Sequence, residues 1–95
     1  MTVDLIISNG TVVTPNRCFE ADVAVDDGTI VGIGDRANFV EAREVVDASG
    51  QLVMPGVVDP HVHIDGYLSI DPYEEGTSAA ALGGVTSCVN FAWEA

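Results

Sequence analysis

The sequence predicts an α/β protein with a β-rich amino-terminal part, followed by one strand–helix–strand unit. Three observations lead there. Up to residue 54, short apolar stretches alternate with turn residues, chiefly Asn, Asp and Gly. From Pro55-Gly56 onward the chain changes character, and Val57-Val58-Asp59-Pro60-His61-Val62-His63-Ile64 is an apolar run with its polar residues gathered at the carboxyl end. A strand covered on both faces, as in a parallel sheet, reads this way. An alanine-rich segment with helix-start and helix-stop signals then separates that run from the next strand, Val85 to Ala92. The expected domains are therefore 1–54 and 55–95.

Each element has its own signal. Asp4-Leu5-Ile6-Ile7 and Thr11-Val12-Val13-Thr14 flank Ser8-Asn9-Gly10, and Asn-Gly predicts a hairpin because both residues tolerate positive φ. Pro15 and Asn16 stop the second strand. Ala21 to Val25 turns at Asp26-Asp27-Gly28 and returns through Thr29 to Gly34, a second hairpin. Residues 35–43 form a polar connection. A strand at 44–47 turns over Ala48-Ser49-Gly50-Gln51 and resumes at Leu52-Val53-Met54. Pro60 lacks a ladder donor and marks the frayed end of the strand beginning at Val57. Asp71-Pro72-Tyr73-Glu74 supplies an N-cap, a proline at the first helical position and a capping-box acid. The helix runs through Leu82 and stops at Gly83-Gly84. Strand, helix, strand of these lengths predicts a parallel βαβ unit. Two parallel strands cannot bury both faces of a sheet, so more strands are expected beside them.

Composition narrows the function. Three basic residues, Arg17, Arg36 and Arg43, stand against 15 acidic ones, giving a net charge of −12 and no lysine in 95 residues. Such a chain repels phosphate and anionic lipid, which excludes nucleic-acid binding and polybasic membrane association. The same composition resembles that of salt-adapted proteins. Hydrophobic residues make up 47% and mean hydropathy is +0.30, which excludes a disordered acidic tail. No apolar run approaches the ~18 residues that span a bilayer. Met1-Thr2-Val3-Asp4 lacks the basic, apolar start of a signal peptide, so a cytoplasmic location is expected. Cys18 and Cys88 lie far apart with no metal-type spacing and read as free thiols.

The chemistry concentrates at Asp59, His61 and His63, at i, i+2 and i+4. On a strand these share one face, with neighbours ~6.6 Å apart. Two imidazoles so placed can converge on one divalent cation at ~2.0–2.1 Å each, while Asp59 is a candidate to orient them from behind. The plainer alternative is a pair of polar residues hydrogen-bonded at a strand end. The carboxyl end of a strand is, however, where active sites of parallel α/β folds gather. Phe91 and Trp93 read as packing residues, Tyr67 and Tyr73 as loop residues near the site, and Glu74 and Glu75 as acids favoured by the helix dipole.

Pro55-Gly56-Val57-Val58-Asp59-Pro60-His61-Val62-His63 resembles the PGxxDxHxH signature of the amidohydrolase superfamily. Upstream, Leu5 to Val13 and Asp27 to Gly34 resemble its "lI.nG.vv" and "dG.I..ig" segments. Downstream, Glu75 to Ser87 resembles the "GT.AAa.GGvTt" segment of the cyclic amidases, namely hydantoinases, dihydropyrimidinases, allantoinases and dihydroorotases. His61-Val62-His63-Ile64-Asp65 follows the hydantoinase and dihydropyrimidinase habit. Dihydroorotases usually carry Arg where this chain has Asp65, and an acid there would repel a substrate carboxylate.

The resemblance implies a partial β-sandwich (1–54) followed by the first βαβ unit of a (β/α)8 TIM barrel (55–95), truncated. It implies a small cyclic amide as substrate, a homo-oligomer when full length, and ring opening by a metal-bound hydroxide at a binuclear, usually zinc, centre. His61 and His63 would bind the more buried metal. A bridging carboxylated lysine, two further histidines and a shuttle aspartate on the last strand would complete the family's site. This chain has no lysine and no third histidine, so it supplies none of those groups, and neither Asp65 nor Asp71 takes the shuttle role. The chain alone is therefore expected to be inactive. Alternatives are an allantoinase- or dihydroorotase-type member, a non-catalytic dihydropyrimidinase-like assembly protein, and a freestanding β-rich module that binds metal through the two histidines.

Overall fold

The computed structural model describes residues 2–35, 41–65 and 71–90, in two compact units, Met1–Met54 and Pro55–Ala95. The first holds β1 (Thr2–Val13), β2 (Cys18–Asp26), β3 (Thr29–Gly34), β4 (Glu41–Asp47) and β5 (Leu52–Val53). They form one mixed sheet in the order β3-β2-β1-β4, with β5 also paired to β1. β1–β2 and β2–β3 are antiparallel, whereas β4 and β5 run parallel to β1. The long β1 takes β4 along Thr2 to Ser8 and β5 at Thr11 and Val12. Ile6 and Ala24, paired across the β1–β2 ladder, are fully buried and form the core with Val3.

Asn9-Gly10 does not make the expected hairpin. β1 continues through it, and the β1–β2 register slips between Ile7 and Gly10, a bulge in which Ser8 and Asn9 stand against Asp22. The two glycine-like residues divide the work. Asn9 supplies the positive φ (65°), and Gly10 supplies space, since a Cβ there would run into the Val53 side chain and lie 3.2 Å from Ala48 Cβ. The bulge is pinned by the Asp22 carboxylate, which is only 6% exposed. Its Oδ2 accepts from the Ser8 hydroxyl at 3.1 Å and its Oδ1 from the Asn9 N–H at 2.9 Å. The chain reverses later, where the Thr14 N–H donates to the Arg17 carbonyl at 2.9 Å. The second hairpin forms where the sequence places it. Asp26 pairs with Thr29 across Asp27 (φ 48°) and Gly28 (φ 72°), two positive-φ residues that match the twist of the flanking strands.

Asp47, at the end of β4, ties the bulge to the next turn. Its Oδ1 accepts from the Ser49 hydroxyl (2.5 Å), the Ser49 N–H (3.0 Å) and the Asn9 side-chain amide (3.2 Å). These donors, led by the Ser49 hydroxyl and then the Asn9 amide, favour the ionised form and hold its carboxyl below the ordinary value of 3.8. The contribution to stability is thus fully present above the unfolded-state value and is lost as pH falls through the lowered folded-state value. A carboxyl-carbon NMR titration is expected to place the Asp47 midpoint below 3.8, and Asp47→Asn should flatten the acid limb of the stability profile. An unshifted midpoint would contradict this reading.

The second unit holds β6 (Val57–Val62), α1 (Tyr73–Leu82) and β7 (Val85–Asn90). β6 and β7 pair in parallel, as a βαβ unit requires. Their register is irregular between Asp59 and Val62, the stretch that contains Pro60, whose missing N–H cannot feed a ladder. The helix start differs from expectation by one residue. Pro72 is the N-cap (φ −60°, ψ 158°), its carbonyl accepts the Gly76 N–H at 2.9 Å, and among the described residues no side chain caps the helix. Asp71 therefore stands one position too early to cap. Its carbonyl instead accepts the Asp65 N–H at 3.2 Å. Glu74 and Glu75 occupy the first turn, where the dipole favours them. The helix ends at Gly83, followed by Gly84 at φ 95°. Among the described residues no helix is long and apolar enough to cross a membrane. Cys18 and Cys88 are free and exposed.

Candidate metal centre

His61 lies near the end of β6, and His63 stands just past it. Both side chains are exposed, and Asp59 is half-buried. The i, i+2 spacing has the effect expected of a strand. The rings sit edge to face with centroids 5.0 Å apart, and their Nε2 atoms approach to 3.1 Å. Two ligand bonds of ~2.0–2.1 Å span at most about 4 Å, so one cation can touch both nitrogens at this separation. The donor set, two imidazole nitrogens, fits a divalent transition metal. Among the described residues, no three His, Cys, Asp or Glu side chains converge on a common point.

Asp59 acts on the backbone. Its Oδ1 accepts the His61 N–H at 3.1 Å, filling the gap that the irregular register leaves. The residue that sequence reasoning passed over is Asn90, at the end of β7. Its side-chain amide donates to the Ile64 carbonyl at 3.0 Å and accepts the Ile64 N–H at 2.9 Å, one residue beyond His63. The strand already carries Thr86 and Ser87, so the polar character of Asn90 did not set it apart in the sequence. Gly76, which weakens a helix by about 1 kcal/mol relative to Ala, also acquires a reason. A Cβ at that position would lie 2.5 Å from Ile64 Cγ2, so the glycine lets Ile64, 9% exposed, pack against α1. Tyr73 opens α1 and is exposed, while Tyr67, Phe91 and Trp93 lie outside the described residues.

The first unit contains a separate recess, lined in part by Asn9, Arg17, Glu20, Asp22 and Asp35. Its buried acid, Asp22, is engaged by Ser8 and Asn9 in pinning the bulge. No histidine or cysteine lines it. The chemistry-bearing pair is at β6.

Comparison with known proteins bears on both units. An allantoinase from Salmonella choleraesuis is 47% identical over 93 residues, which cover 96% of this chain and 20% of the relative. The chain thus spans about one fifth of the length of such relatives. Among solved structures, the L-hydantoinase (dihydropyrimidinase) from Arthrobacter aurescens superposes with a TM-score of 0.80 at 37% identity, covering 93% of this chain and 20% of that one. The dihydropyrimidinase from Brevibacillus agri gives 0.79 at 44% identity over 90% of this chain and 19% of that one. The family model described as "Amidohydrolase family" matches residues 44–93, from β4 through β6, both histidines, α1 and β7. With more than half its length, the histidine pair included, inside that match, the chain belongs to the amidohydrolase family.

Proposed function

We propose that this chain is the amino-terminal part of a cytoplasmic, metal-dependent hydrolase of cyclic amides, of the hydantoin and dihydropyrimidine ring-opening type. His61 and His63 hold one divalent cation, zinc by donor preference. The observation that carries the reading is the 3.1 Å approach of the two Nε2 atoms at the carboxyl end of a parallel strand. When bound there, the cation would polarise the ring amide and lower the pKa of water at the site. The chain's own residues hold the pair in place. Asp59 fixes the His61 backbone, and Asn90 fixes the backbone after His63.

Units 1–54 and 55–95 correspond in this reading to the start of a small β-sandwich and to the opening βαβ of a (β/α)8 barrel. Exposed apolar residues support the second assignment. Val58, Val89 and Leu82, the last 91% exposed, are side chains that further strands and helices of a barrel would cover. Two imidazoles alone do not make a catalytic site, which ordinarily has three protein ligands. The chain has no lysine to bridge two metals, so by itself it is inactive. The intact protein acts on a small cyclic amide as a homo-oligomer, binding neither nucleic acid nor membrane. An allantoinase-type substrate is the second reading, favoured by the sequence relatives. The acid at position 65 disfavours a dihydroorotase.

The test is a chimaera in which residues 55–90 replace the equivalent segment of the Brevibacillus agri dihydropyrimidinase. It is expected to retain metal and open a dihydropyrimidine ring, and to lose both when His61 and His63 become alanine. A folded, metal-free chimaera with both histidines intact would overturn the proposal.

A further inference from the structure

We infer that Asn90 is the positioning residue of the histidine pair, and that its carboxamide sets where the His63 imidazole stands. This rests on the metal-binding reading above. β6 reaches the site poorly held, because its ladder to β7 is irregular between Asp59 and Val62 and Pro60 has no N–H to offer. The last ladder pair is Val62 with Asn90. Beyond it the Asn90 side chain takes over, receiving the Ile64 N–H at 2.9 Å and donating to the Ile64 carbonyl at 3.0 Å.

A carboxamide suits this task because it carries a donor and an acceptor in one plane, as a neighbouring peptide would. His63 is therefore bracketed by a single residue, through the ladder at Val62 and through the clamp at Ile64. The Asp59 carboxylate holds the His61 N–H at 3.1 Å. Both rings are exposed, and the position of the backbone that carries them bears on how closely their nitrogens approach. Metal–ligand distances tolerate only about ±0.2 Å, and a strand end released by even a fraction of an ångström spoils the bite. Ile64, seated against Gly76, gives the clamp a fixed base.

The experiment is a titration of the 95-residue chain with Co2+, reading affinity and the visible ligand-field spectrum, together with hydrogen exchange at the Ile64 amide. Asn90→Ala is expected to weaken Co2+ binding about 10–100-fold, the usual cost of losing a group that orients a ligand, to change the spectrum and to speed Ile64 exchange. Asn90→Asp keeps the acceptor but turns a second acceptor toward the Ile64 carbonyl, so it should fall between wild type and Asn90→Ala. That graded order separates positioning from general support. Wild-type Co2+ affinity and spectrum in Asn90→Ala, with faster Ile64 exchange, would overturn the inference. So would equal weakening in both variants that merely tracks lost far-ultraviolet signal. Indifference of Co2+ binding to His61→Ala would instead refute the metal reading itself, and the inference with it.

Discussion

The double substitution His61→Ala, His63→Ala is expected to abolish specific binding of zinc or cobalt, and either single substitution to weaken it by at least about 100-fold. Each tenfold loss corresponds to about 1.4 kcal/mol. With the Nε2 atoms 3.1 Å apart, the second imidazole would add to a cation held by the first, and binding would benefit from the high local concentration of that second ligand. Removing one ring leaves a lone imidazole on an exposed strand end. Neither ring is buried, so the variants should fold as the parent does, and the loss can be read as one of ligation. Isothermal titration with Zn2+, with circular dichroism as the control for folding, checks this. Retained affinity in the double variant would move the metal elsewhere.

Ile6→Ala is expected to destabilise the first unit by about 2–5 kcal/mol, the range for truncating a fully buried aliphatic side chain. Ile6 is 0% exposed and sits between Ala24 of β2 and Val45 of β4 in the ladders. It is central to a small core, and the sheet offers few neighbours able to collapse into the space. Val45, its parallel partner, is 49% exposed, and Val45→Ala should cost clearly less, within about 1 kcal/mol. Urea unfolding of the two variants distinguishes the cases, and equal losses would contradict the placement of the core at Ile6.

Legibility of the chain in its sequence followed the range of the interactions. The Asp27-Gly28 turn and the helix stop at Gly83-Gly84 depend on residues close in sequence, and the parallel β6–α1–β7 unit follows from the order and lengths of its elements; all three stand where expected. Asn9-Gly10 misled because local turn chemistry was outweighed by distant partners. Asp22 satisfies the bulge, and Val53 and Ala48 demand the missing Cβ. Asp71 misled because Pro72 adopts an extended ψ and occupies the cap position itself. At the proposed site, the approach of the two imidazoles was readable because a strand's two-residue repeat brings i and i+2 together. The clamp was not, because the Asn90 amide reaches a backbone 26 positions away, and no periodicity encodes such a contact.

The most direct measurement is X-ray absorption fine structure on the Zn2+-loaded chain. Two nearby histidines bridged by one ion predict a first shell with two imidazole nitrogens at ~2.0–2.1 Å and the outer-shell scattering of their rings, reduced to at most one imidazole in His61→Ala. A first shell of oxygen alone, unchanged by that substitution, would contradict the account.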